Sequence, residues 1–188
     1  MEPAPDLLER YGEPHRRYHN LDHIHACLQM LADVAGISDA DRHVIGLALW
    51  WHDAIYDPAR ADNEARSADL ATSALEAAGE PETVRREVDR LIRLTAGHAV
   101  DEGDRLGALL VSIDLSILGA APEAYDRYAA AIREEYDFVP EPLYRAGRQA
   151  VLKRFLDADP IFPEPTFAAR FEAPARANLA RELATLGG

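Results

Sequence analysis

LALWWHDAIYDP, residues 47–58, is the stretch that decides the fold. From Gly46 to Trp51 it is apolar apart from two indole N–H groups, and Ala54-Ile55 continues the run. An apolar run of this kind marks a helix enclosed by others. Ser38 supplies an N-cap and Pro58 a stop, so the pattern predicts a helix from Ser38 to about Tyr56. In the middle of the run sit His52 and Asp53. Polar groups of this kind are seldom fully buried without a partner. Neighbouring helical positions diverge by about 100°. The pair would therefore flank one line, gripping a metal from two sides or bonding to neighbours at a helix end.

The same punctuation extends outward. A helix opens near Tyr18–Leu21 and ends at Gly36. Another runs from Asp62 to Ala78, closed by Gly79, and the next from Pro81 to about Ala96. Further helices are expected at 104–118, 123–136, 142–157 and 166–186, with the Pro-rich stretch 158–166 as an extended surface loop. Strand alternation is almost absent and no repeat is visible. The expectation is an all-α chain forming one domain over residues 1–188, with about seven to nine helices.

Composition narrows the function. The chain has 188 residues, 48% of them hydrophobic, and a formal net charge of -13. That charge and the lack of a Lys/Arg run argue against nucleic-acid polymers and anionic membranes as partners. A small anionic substrate remains compatible, because a metal ion can invert the local sign. Cys27 is the single cysteine, which fits a reducing cytoplasm. The start, MEPAPDLLERYGEP, lacks the apolar core of a secretory leader, and no window is long enough to span a membrane.

Two further stretches bring polar groups to apolar faces. In YHNLDHIHACLQML, residues 18–31, Leu21, Ile24, Cys27, Leu28 and Leu31 share a face. His23 lies at its edge and His19 one turn earlier, while His25 falls opposite. An i, i+4 histidine pair can present two imidazoles to one point; either ring alone is equally at home as a hydrogen-bonded boundary residue. In ALLVSIDLSILG, residues 108–119, Asp114 sits in an apolar run with no nearby cation except Arg105. A buried carboxylate needs a cation, a proton or several donors. Together the three stretches offer nitrogen and oxygen ligands without thiolate, a set suited to Mn²⁺, Fe²⁺, Zn²⁺, Ni²⁺ or Mg²⁺.

The order H…HD…D resembles the HD-domain superfamily of metal-dependent phosphohydrolases, and within it a bacterial branch of predicted HD phosphohydrolases. The resemblance is carried by YHNLDHI (18–24), WWHDAIYD (50–57), DNEARSA (62–68), T-A-G-H (95–98) and DLSILG (114–119), with a weaker echo in YRAGRQAVLKRFL (144–156). It implies a compact helical domain and one or two divalent metal ions held by His23, His52, Asp53 and Asp114. YHNLDH also looks like the Y-H-N-x-x-H motif of cyclic nucleotide phosphodiesterases, which implies His19 as general acid. One departure is Ser112, where the branch commonly has an acid. By the same resemblance Glu64 is a candidate base or supporting residue, and His98 a substrate contact or second-site ligand. Arg148 and Lys153 are candidate phosphate contacts.

The implied activity is hydrolysis of a small phosphoester by metal-activated water, in a cytoplasmic protein that can form a homo-oligomer. Two other readings stay open: a di-iron oxygenase on the same scaffold, and a non-catalytic domain that binds a nucleotide or a partner. Glu64 as a first-turn acid, His98 as a surface ring and the two cations as solvated charges are the structural alternatives.

Overall fold

The computed structural model describes residues 5–187. Residues 1–4 of the acidic start and Gly188, the two ends of the expected 1–188 domain, lie outside them. In chain order the helices are α1 (Pro5–Tyr11), α2 (Leu21–Ala32), α3 (Asp39–Trp51), α4 (Asn63–Ala77), α5 (Glu82–Leu94), α6 (Arg105–Asp114), α7 (Pro122–Glu135), α8 (Glu141–Asp157) and α9 (Pro165–Gly187). A 3-10 turn, Leu115–Gly119, joins α6 to α7. The described residues are thus all-α, and they contain no strand.

Helix α3 is central because its sequence leaves it no polar face: every residue from Val44 to Trp51 is buried. Helices α2, α5 and α6 pack on it, and α4 lies along α5. Helix α9 closes the other side against α8 and the 3-10 turn. That contact is close: a Cβ on Gly119 would stand 2.7 Å from the Phe171 backbone oxygen. Asn178 of α9 donates from Nδ2 to the carbonyls of Leu118 and Ala120, at 3.0 and 2.9 Å. No single helix among the described residues is long and apolar enough to cross a membrane.

Four local outcomes differ from the sequence expectation. Helix α1 was not anticipated; Leu7 and Tyr11, one turn apart, bury their side chains in the core. Helix α2 starts at Leu21, after His19, because the Asn20 side chain caps it by accepting from the N–H groups of Asp22 and His23. Helix α3 stops at Trp51, five residues short of Tyr56. Of the stretch 158–166, residues 158–164 are an irregular loop with Asp159 and Pro160 exposed, but Ile161 and Phe162 enter the core, with their N–H groups on the Glu172 carboxylate, and Pro165 already begins α9. Ser112 Oγ accepts from Glu164 N at 3.0 Å and pins the end of that stretch.

Candidate metal centre

His52 and Asp53 stand at the C-terminal end of α3. Tyr11 donates its hydroxyl to the Trp50 carbonyl at 2.8 Å. The Arg16 guanidinium donates to the carbonyls of Asp53 and Ala54, at 2.6 and 3.2 Å. Carbonyls left without helical partners at a C-terminus are thereby satisfied by side chains. The Ser67 hydroxyl accepts from Ile55 N at 3.0 Å and holds the segment that follows. His52 itself keeps helical backbone angles, φ -60° and ψ -37°, and its N–H still bonds to the Ala48 carbonyl, so the pair is presented from the last turn of α3. His52 Nε2 and Asp53 Oδ2 lie 3.0 Å apart.

His23, from α2, and Asp114, from the last turn of α6, reach the same place. His23 Nε2 lies 3.3 Å from His52 Nε2, 3.7 Å from Asp53 Oδ2 and 3.2 Å from Asp114 Oδ1. Asp114 Oδ1 lies 3.5 Å from His52 Nε2. Ligands about 2.1 Å from one ion sit about 3.0–3.4 Å apart in octahedral or tetrahedral arrangement. His23, His52 and Asp53 offer ligand atoms within 4.8 Å of one another, and His23 and Asp114 do so with Cys27, so these groups could hold a metal ion. His52 Nδ1 donates to the Leu49 carbonyl at 2.9 Å, which fixes the tautomer and leaves Nε2 with its lone pair toward the cluster.

The electrostatics are those of a site that attracts positive charge. Burial opposes charge on His52, yet Asp53 and Asp114 outweigh it and hold the imidazole well above the ordinary histidine range. Burial also opposes charge on Asp53, and His52 beside it brings the carboxyl below the usual carboxylate range. Asp114 behaves likewise, through hydrogen bonds from His23, His52 and His98. A proton on His52 or a metal ion would each satisfy the two acids. Cys27 packs its Sγ 3.8 Å from His23 Nδ1, and burial pushes its thiol up, so it is a neutral neighbour there.

The remaining candidates divide. His98 has a left-handed backbone, φ 57°, uncommon for a residue with a Cβ. Its Nε2 lies 3.3 Å from Asp114 Oδ2, the oxygen other than the one near His23 and His52, and its buried Nδ1 has no partner among the described residues. Glu64 lies in the first turn of α4 and lines the same cavity. Arg148 lines it too, but its guanidinium is committed: Nε and Nη2 donate to the two oxygens of Glu182, at 2.7 and 3.0 Å. Lys153 is exposed and is not among the lining residues; its neighbour Arg154 is. Asp57 caps a turn by accepting from Ala59 N.

His19 approaches from the loop before α2 and not as one helical turn with His23. What places it is Glu135, at the end of α7, whose side chain is fully buried. Glu135 Oε1 accepts from three successive backbone N–H groups, those of Arg17, Tyr18 and His19, at 2.8, 2.8 and 2.9 Å. Oε2 lies 2.7 Å from His19 Nδ1 and accepts from the Tyr56 hydroxyl at 2.7 Å. Burial opposes the charge, but the His19 bond outweighs it and lowers Glu135 to about 2. Burial lowers His19 and Glu135 raises it, with a net upward shift. Sequence reasoning missed Glu135 and Arg16. In REEYD, residues 133–137, nothing distinguishes Glu135 from solvated neighbours except its place on the inner face of α7.

The cavity above the cluster measures about 650 Å³. His19, His52, Asp53, Asp114 and five tyrosines are among its walls. Compared with family models, with curated proteins and with solved structures, the chain matches none.

Proposed function

We propose that the chain is a metal-dependent phosphohydrolase of the HD type, acting on a small phosphoester. The observation that carries the reading is the convergence of His23, His52, Asp53 and Asp114 from three separate segments onto one point, at 3.0–3.7 Å. These four side chains would hold the ion, with His98 supporting Asp114 from outside. A divalent ion bound there supplies Lewis-acid charge and an acidified water.

The chain's own residues account for the other needs of the reaction. With Nδ1 directed at Glu135, His19 has Nε2 as its titrating nitrogen. The upward shift from Glu135 keeps a proton there closer to neutral pH, available to a leaving oxygen; a positioned acid is typically worth about 10²–10⁴-fold. The apolar walls beside the cluster, such as Leu115 and Leu118, lower the local dielectric and strengthen each charge interaction.

The test is elemental analysis of purified protein, followed by a phosphoester panel in Mn²⁺, Mg²⁺, Ni²⁺ and Fe²⁺. Stoichiometric metal, lost in His52→Ala and Asp114→Asn, and turnover that falls with it are the expected results. Unchanged metal in both variants, or no turnover with any of the four ions, would overturn the reading. His19→Ala should keep its metal and lose turnover; loss of metal would make His19 a ligand.

A further inference from the structure

Helix α8 offers one continuous face to the cavity, with Leu143, Tyr144, Gly147, Val151, Arg154 and Phe155 on it. Two of these residues are unusual. Leu143 is 66% exposed and Val151 36%, so apolar side chains meet water on the wall of a pocket. Gly147 stands in the middle of the helix, where glycine is the least favourable residue after proline. No neighbour requires it: a Cβ built there meets nothing within 4 Å. Neither packing nor backbone conformation accounts for glycine at 147. What its missing side chain provides is width, on the cavity side of the helix, between two exposed aliphatic groups.

The charges of the same cavity limit what enters beside that strip. Arg60 is bound through two nitrogens to Asp62, and Arg148 to Glu182. Among the described residues Arg154 has no acidic partner, and its guanidinium rests 5.2 Å from the Phe155 ring centre. Among the described lining residues, a single cation without an acidic partner suits one phosphoryl group, not a polyphosphate chain.

We propose that this cavity takes a phosphomonoester with a neutral, apolar body, alkyl or aryl. The body lies along the Leu143–Gly147–Val151 strip and the phosphoryl group lies between Arg154 and the His/Asp cluster. The phosphoryl end rests on the phosphohydrolase reading, whereas the strip rests on α8 alone.

The experiment is calorimetric titration of the Mn²⁺-supplied protein with methyl-, butyl-, hexyl- and octylphosphonate, and with AMP and ADP. Affinity is expected to rise about fourfold per methylene buried, until the strip is full. Octylphosphonate is expected to bind tighter than either nucleotide. Gly147→Leu fills the width, so it should weaken octylphosphonate at least tenfold and leave methylphosphonate within twofold. Gly147→Ala, which favours the helix, shows by an unchanged or raised melting temperature that the position tolerates a side chain. A flat chain-length series, tighter nucleotide binding or an indifferent Gly147→Leu would each overturn the proposal. So would a flat series together with a dimer that Leu143→Glu dissociates, since a second copy would then cover the strip. A rising series without turnover of any ester keeps the strip and removes hydrolysis. Nucleotide turnover with a flat series does the reverse.

Discussion

Replacing Glu135 by glutamine probes the loop that carries His19. The Gln oxygen can still accept from the backbone N–H groups of Arg17, Tyr18 and His19. The amide nitrogen, however, would face His19 Nδ1 and the Tyr56 hydroxyl in place of an acceptor. The charge is lost as well. A carboxyl lowered from 4.5 to about 2 holds roughly 3 kcal/mol of folding free energy at neutral pH. For a chain of this length that corresponds to a fall in Tm of roughly 6–10 °C.

The pH dependence has a definite sign. Glu135 is depressed, so its contribution is present above its unfolded value of 4.5 and is lost as pH falls toward about 2. His19 is raised, so its contribution is complete below its unfolded value of 6.5 and is lost as pH rises through the folded value. The difference between parent and Glu135→Gln should therefore be greatest between about pH 4.5 and 6.5. Thermal melts of both proteins from pH 3 to 8 read this directly. A Tm difference below about 2 °C at pH 6, or one constant from pH 3 to 8, would refute the account of Glu135 as a buried, ionised anchor.

Other expected outcomes can be checked in parallel. Arg148→Met should lower stability by about 3–5 kcal/mol in urea melts, because it strands Glu182 without its cation; a variant that melts like the parent would return Arg148 to the role of free phosphate contact. Gly119→Ala should cost about 1–3 kcal/mol by the same measurement, since the new methyl meets the Phe171 backbone. Asn178→Ala, which leaves the carbonyls of Leu118 and Ala120 without their donor, should cost about 1–3 kcal/mol. His98→Ala should spare the helical circular dichroism and weaken metal retention, seen as faster release to a chelator, because Asp114 Oδ2 loses its neighbour.

The helical fold was legible because helix stops are written in local chemistry. Gly79, Pro81 and Pro122 sit at element ends and Ser38 caps α3, whereas α2 stops at Ala32, four residues before the expected end at Gly36. The four converging residues were legible for an energetic reason: His23, His52 and Asp114 stand on or beside apolar runs, where an unpaired polar group is costly. What stayed hidden depends on long-range partners. The turn that follows α3 is held by Tyr11, on the Trp50 carbonyl, and by Arg16, on those of Asp53 and Ala54, both far upstream. His19 is aimed by Glu135, 116 residues downstream. Arg148 was misjudged as a free cation because Glu182, its partner, lies one helix further on. Arg154, not its neighbour Lys153, faces the cavity, because adjacent helical positions diverge by about 100°.

The anchoring of the segment after α3 bears on how this centre tolerates change. Arg16 donates to the main-chain carbonyls of Asp53 and Ala54, directly behind the bite of the pair. The main chain that carries Asp53 is thus held by a guanidinium that touches neither side chain. Variation at Arg16 would act as a dial on the bite between imidazole and carboxylate, and so on which ionic radius the cluster accepts, without altering its inventory of donors.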